Sequence, residues 1–165
     1  MTLFLTQLLK RFRKSEDGVA VVEFVLSVPL MILVFAIVIE FSRLFLGYQA
    51  TVSGVRDANR YLARVAPIDI CIAGGSLSAY DAILKTMIEK DRSANSVLPS
   101  QFTVTSVAAT HTCVSGVYRT SPAPVATVSA QISVQFPMGF VFGMFGTELT
   151  PLTTTVTNSS RIFGS

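Results

Sequence analysis

Charge is scarce in this chain. Only 14% of its 165 residues are Asp, Glu, Lys or Arg, against roughly 25% in soluble domains. Half of the residues are hydrophobic and the mean hydropathy is +0.57. Disorder is excluded, because disordered chains are rich in charge and poor in apolar side chains. An ordinary soluble enzyme also fits badly, since so apolar a chain needs lipid or partners to shield part of it. A basic surplus is missing too. The formal net charge is +3, and four of the thirteen basic residues, Lys10, Arg11, Arg13 and Lys14, fall within the first fourteen positions. The remainder has no excess of cations with which to grip a polyphosphate, so nucleic acid is not an expected partner.

Groups that carry chemistry are equally few. His111 is the single histidine, and the two cysteines, Cys71 and Cys113, have no zinc-site spacing. No G-x-S-x-G, phosphate loop or G-x-G-x-x-G is present, and no carboxylates pair in a cleft-like arrangement. Neither catalysis nor a metal or other cofactor is expected. His111, alone in a strand-rich stretch, reads as a surface or structural residue. The length suits one domain, and no internal repeat appears.

What the chain does have is one long apolar run. Phe24 to Ile39 (FVLSVPLMILVFAIVI) holds 16 residues without a charge, and extending back to Val19 gives 21 with a single acid, Glu23. A 21-residue helix reaches about 31 Å, close to the thickness of a bilayer core. Basic residues lie just upstream, and Glu40 and Arg43 close the run downstream. The positive-inside rule then predicts a single span with a cytoplasmic N-terminus. A secretory signal would end in small residues of A-x-A type. The residues after Glu40 offer no such pair, so cleavage after the run is not expected.

Cys71 and Cys113 both fall beyond the span. Outside the cytoplasm they are expected to oxidise to a disulfide. The alternative is two unpaired buried thiols.

The junction before the span is the most informative stretch. From Arg11 it reads RFRKSEDGVAVVEFVLSVPL: a basic, polar leader ending in Gly18, small or aliphatic residues, Glu23-Phe24, then the apolar run. Glycine also marks loops before helices, so the weight rests on the combination. This resembles the processing site of class III (type IVb, Tad/Flp) prepilins. More closely, DGVAVVEFVLSVPLMILVFAIVIEFSRLF is similar to the start of TadE-like pilus-assembly proteins, and VSGVRDANRYLAR continues the likeness, which covers about residues 11–65. The resemblance implies that a membrane prepilin peptidase cuts between Gly18 and Val19, leaving Glu23 as the fifth residue of the mature subunit. It also implies partners: the major Flp-type pilin, a sister TadF-like minor pilin, the peptidase itself, an inner-membrane platform protein and a secretion ATPase.

Within that frame Glu23 has two readings. At the membrane boundary it reaches water at little cost. In a bundle of subunits withdrawn from lipid, an unpaired carboxylate costs several kcal/mol and needs a cation. The new α-amino group of Val19, on the same or a neighbouring subunit, is the expected partner, and Glu23-Phe24 the assembly pair. Pro29 cannot donate to the carbonyl of Val25; the resulting loosened turn is either merely tolerated in lipid or a kink used in packing.

Beyond Glu40 the helix is expected to continue as an amphipathic spine to about Ala66, with Leu44, Tyr48, Val52, Val55, Leu62 and Val65 on one face and Arg56, Arg60 and Arg64 on another. The arginine row reads as a solvated face or, alternatively, a contact for an anionic surface. Asp57 is expected to pair with Arg60 or Tyr61, and Glu40 with Arg43. Pro67 ends the helix.

Residues 68–75 read as a linker, and Ser76 as the cap of a second helix over Leu77–Asp91. Asn95–Pro99 reads as a turn and Ser121-Pro-Ala-Pro as a loop. Alternating stretches at 102–107, 126–136 and 153–157 read as strands. The segment PMGFVFGMFG (137–146) is the odd one. Its Phe140, Phe142 and Phe145 either tuck into the core or form an apolar patch for a partner or the membrane surface.

The expected fold is α+β and pilin-like: a long N-terminal transmembrane helix running into a small domain with a second helix and a three- or four-stranded antiparallel sheet. The expected units are a cytoplasmic, cleaved leader (1–18), a long helix (19–66; 19–41 in the membrane, 42–66 the spine) and a periplasmic domain (67–165). The expected function is that of a minor pilin or pseudopilin. It would wait in the inner membrane and then initiate or cap a pilus. The alternative is an uncleaved, single-pass inner-membrane protein whose outer domain binds or scaffolds.

Overall fold

A computed structural model describes residues 16–144, 146 and 149–164. The leader's basic residues and Phe145 lie outside the described residues.

The spine is a 50-residue helix, α1 (Glu16–Val65), about 75 Å long at 1.5 Å per residue. It starts three residues before the expected Val19, so Gly18 lies inside its first turn and not in a preceding loop. It runs without interruption through Pro29 and stops where Ala66 precedes Pro67, whose ring disfavours helical geometry in the residue before it. Most side chains from Val19 to Leu46 point away from the rest of the chain. The hydroxyls in this half bond within the helix: Ser27 Oγ donates to the Glu23 carbonyl (2.8 Å) and Ser42 Oγ to that of Val38 (2.7 Å). Both polar groups are thereby satisfied without water.

The second half of α1 turns inward a stripe that shares Val55 and Leu62 with the expected one, with Leu44 and Val52 packed at its margin, and that is completed by small and polar residues the pattern did not indicate. Gly47, Thr51, Val55, Ala58, Leu62 and Ala66 are buried at steps of three and four, whereas Tyr48 is exposed and Val52 and Val65 are half-buried. Close approach selects the small residues. A Cβ on Gly47 would meet the Phe102 ring at 2.1 Å, and one on Gly54 would lie 3.2 Å from the Ile88 backbone. Thr51 donates to the Gly47 carbonyl (2.9 Å) and Asn59 Nδ2 donates to Asn158 Oδ1 (2.8 Å), whereas Asn59 Oδ1 has no hydrogen-bond partner among the described residues. Arg56, Arg60 and Arg64 form an exposed row. Asp57 lies 3.5 Å from Arg60, a surface pair of small consequence.

After α1 the chain makes a one-turn helix, α2 (Ile70–Ala73), where a plain linker was expected; Ile70 is buried. The second helix is shorter than expected. A 3-10 turn (Ser78–Tyr80) leads into α3 (Asp81–Glu89), which buries Leu84 and Ile88. Ser76 Oγ accepts the N–H of Ser78 (3.2 Å). It therefore closes the 3-10 turn and does not cap α3. Lys90 is extended, with φ −130° and ψ 147°, and pairs with Ser96 across a tight turn. The Asp91 carboxylate accepts N–H bonds from Asn95 (2.9 Å) and Ser93 (2.8 Å). The bond from Asn95 is the main reason its pKa lies below the usual carboxylate value.

The sheet has three antiparallel strands in the order β1 (Phe102–Val114), β2 (Ala123–Val134), β3 (Leu152–Arg161). The first and third are longer than the sequence pattern indicates, and β2 already begins inside the expected Ser121-Pro-Ala-Pro loop. In the central strand the even positions Ala126, Val128, Ala130, Ile132 and Val134 are buried. Strand β1 does not keep one parity. Val104 pairs with Ile132 but Ser106 with Gln131, so a bulge at Thr105–Ser106 moves the inward set from Phe102 and Val104 to Val107 and Ala109. At the outer edge of β1, Asp81 Oδ1 accepts the N–H of Ala109 (2.8 Å), and α3 thus covers part of that edge.

Leu62, Leu84, Ile88, Val104, Val128, Ile132 and Ile162 form the centre of the core. Each contributes about 1.5–3 kcal/mol by burial. The sheet lies along the second half of α1. Phe102, at the start of β1, packs at Gly47. At the other end the N–H of Phe163 donates to the Ala63 carbonyl (2.8 Å).

Candidate functional site

Three features gather the residues singled out above: the start of α1, the loop beside the end of the apolar run, and the cysteine pair.

At the start of α1, Val19 and Glu23 are four residues apart and so lie on one helix face. Glu23 and Phe24 are exposed, Phe24 at 65%. No ion pair engages Glu23 among the described residues. The Gly18–Val19 peptide sits near the start of α1. Pro29 follows about one and a half turns after Glu23 and is exposed on the same apolar segment.

The odd loop is organised by the spine. Residues Gly139–Gly143 make a one-turn helix, α4, packed on α1. The N–H of Met138 donates to Glu40 Oε1. Glu40 is only 4% exposed, and its contact is this backbone amide, not the expected Arg43. One turn earlier on the same face Ala36 is fully buried. On the loop side, Val141 and Gly139 are buried and Phe142 half-buried. Phe140 (63% exposed) and Met144 (78%) face outward, so Phe140 stays outside the core. Sequence reasoning missed the role of Glu40. The signal was its place: an acid directly after 16 apolar residues has no helix-facing cation within one turn except Arg43.

The third feature is covalent. Cys71 in α2 and Cys113 in β1 are bonded across a separation of 42 residues, with their Cα atoms 5.8 Å apart. The bond ties the end of β1 to the chain just beyond the spine. His111, two residues before Cys113, is half-buried. No group of three or more His, Cys, Asp or Glu side chains gathers among the described residues.

These elements define a class: a helix-anchored α+β protein whose one long apolar helix fits a single membrane crossing and then serves as the spine of a small domain. Its sequence supplies the next step. Residues 18–60, about a quarter of the chain, match the model of the TadE-like protein family. The match begins at Gly18 and spans Glu23-Phe24, Pro29, the apolar run and most of the spine, and it links the chain to Tad pilus systems. No curated protein and no solved structure matches the chain.

Proposed function

We propose that this protein is a minor pilin or pseudopilin of a Tad-type pilus, a structural component and not an enzyme. The observation that carries this reading is the coincidence of two boundaries. The TadE-like match starts at Gly18, the residue that ends the basic leader in the sequence, and it runs through the apolar half of α1 that its own chain leaves uncovered.

The mechanism follows from the chemistry of that helix. The basic leader holds the N-terminus in the cytoplasm. The prepilin peptidase opens the Gly18–Val19 bond, which lies near the start of α1. The new amine of Val19 is cationic at neutral pH. It stands one helical turn from the Glu23 carboxylate, on its own or a neighbouring helix. As the apolar halves leave lipid and pack together, that pairing removes the cost of burying Glu23. The domain with the disulfide then lies outside the cytoplasm, where cysteine pairs persist. Partners in this reading are the major Flp-type pilin, a TadF-like sister subunit, the peptidase, the platform protein and the secretion ATPase. The subunit initiates or caps the filament.

A second reading is favoured by one observation. Helix α1 begins at Glu16, so Gly18 is a helical residue, as it would be in an uncleaved single-pass scaffold protein. The intact mass of the protein from native membranes, with and without the peptidase, separates the two. Peptidase-dependent loss of residues 1–18, abolished by Gly18→Ala together with pilus formation, is the expected result. A full-length chain in both strains refutes processing and leaves the scaffold.

A further inference from the structure

We propose that the segment from Pro137 to Met144 is a second membrane contact, a wedge that places Phe140 and Met144 among phospholipid acyl chains in the leaflet where α1 emerges. The proposal rests on the reading of α1 as a membrane span.

From Val19 to Ile39 the helix covers about 31 Å, the thickness of the hydrocarbon core. Glu40 therefore stands at the outer boundary of that core. Loop and helix are joined at this level, by the amide of Met138 on Glu40 and by the packing of α4 on α1. On the helix, Ala36 and Glu40 are buried at this level while Phe35 and Phe41 are 61% and 66% exposed. Whatever surrounds Phe35 and Phe41 also reaches the outer face of the loop, where Phe140 and Met144 are exposed. Leu152, at the start of β3, adds a further exposed apolar side chain to this end of the sheet. Above Glu40 one face of the helix keeps an exposed aromatic stripe of Phe41, Phe45 and Tyr48, of which Tyr48 is the type enriched in the interfacial zone. The pattern is that of an interfacial element, with its apolar face a few ångströms into the headgroup and acyl boundary. Two contacts, span and wedge, hold the domain at a fixed tilt on the membrane. One contact would leave it to swing on its spine.

The chain contains no tryptophan, so Phe140→Trp creates a single tryptophan, excited apart from the tyrosines, at an exposed position. The full-length protein is reconstituted in phosphatidylcholine vesicles containing lipid brominated near either the glycerol end or the methyl end of the chain. Phe35→Trp reports the span, and Val117→Trp, in the far hairpin, reports water. Disulfide formation in each variant checks the fold. The expected result is strong quenching of Phe140→Trp, greater from bromine near the glycerol end, with Val117→Trp unquenched. Adding Glu40→Ala frees the loop and weakens that quenching; an unchanged signal overturns the role of Glu40 as latch. Quenching of Phe35→Trp but not Phe140→Trp overturns the wedge and leaves the span intact. No quenching of Phe35→Trp overturns both. Emission from Phe140→Trp that shifts to the blue only as protein density rises assigns the patch to a second copy of the chain, and also overturns the proposal.

Discussion

Replacing both cysteines by serine tests how the outer part of the molecule is held. The bond between Cys71 and Cys113 closes a loop of 42 residues' separation. On the chain-entropy account such a loop is worth about 4 kcal/mol, by restricting the unfolded chain. Native packing contributes little to the difference, because Cys71 is half-buried and Cys113 exposed. With a urea slope of about 1–3 kcal/mol/M, the midpoint of unfolding in detergent falls by more than about 1 M. A shift below about 0.3 M at unchanged slope would refute the loop-closure argument. The bulge in β1 takes up one residue without disturbing that bond: Val104 pairs with Ile132 and Ser106 with Gln131, so Thr105 is the extra residue and Cys113 keeps its place opposite Pro124 without it. Deleting Thr105 is therefore expected to leave the disulfide formed, read by alkylation and mass, with the loss of hydroxyl contacts to Gln131. Two free thiols in the deletion variant would show that the bulge itself sets the facing of Cys113.

Other consequences are smaller in scope. Gly47→Ala puts a methyl group into the Phe102 ring, and overpacking of about 1–3 kcal/mol outweighs the gain in helix propensity of about 1 kcal/mol; a more stable variant in thermal melts would contradict the close approach. Asp81→Ala leaves the amide of Ala109 without its acceptor, at a cost of about 1–3 kcal/mol, and hydrogen exchange at Ala109 should quicken while that of Val128 in the central strand hardly changes. The Asp91 turn should loosen in acid. Its carboxyl is held below the ordinary value of 3.8 by N–H bonds, so its contribution is present above that pH and is lost as pH falls through the lowered folded value. Backbone amide shifts of Ser93 and Asn95 moving together in that acid range would show it, and Asp91→Asn should remove the transition.

Much of the architecture is legible in the residues because local rules dominate there. An uncharged run of 16 residues, a helix-stopping Pro67 and the even-numbered apolar positions of β2 each point to one structure without knowledge of the rest of the chain. The inward stripe on α1, which the hydrophobic period indicates only in part, shows where such reasoning stops. Val55 and Leu62 fall inward as the period requires, yet Tyr48 is exposed and Gly47, Thr51 and Asn59 complete the buried face. Their selection comes from partners far along the chain: the Phe102 ring, which needs the space of a missing Cβ, and Asn158, which bonds Asn59. The bulge is hidden for the same reason. Thr105 and Ser106 are ordinary strand residues, and only the register against Gln131 marks them as an insertion. At the candidate site, Gly18, Glu23 and Phe24 stand out by their order in the sequence. Glu40 does not, because its partner is a backbone amide nearly a hundred residues away.

Glu40 joins these strands of the argument. An acid at the end of a membrane span has an easy course available, since its side chain can reach water at the interface. Here it is turned inward instead and is 4% exposed, which costs free energy unless a donor meets it. The donor is the amide of Met138, at the head of the loop that carries Phe140 and Met144. The same contact therefore satisfies the acid and fixes the level of the loop against the apolar run. Glu40→Gln keeps an oxygen for the amide and should hold the loop in place, whereas Glu40→Ala should release it. Protease sensitivity of the 137–144 segment in detergent distinguishes them. Equal sensitivity of the two variants would mean that the packing of Val141 on α1, and not the hydrogen bond, sets the position of the loop.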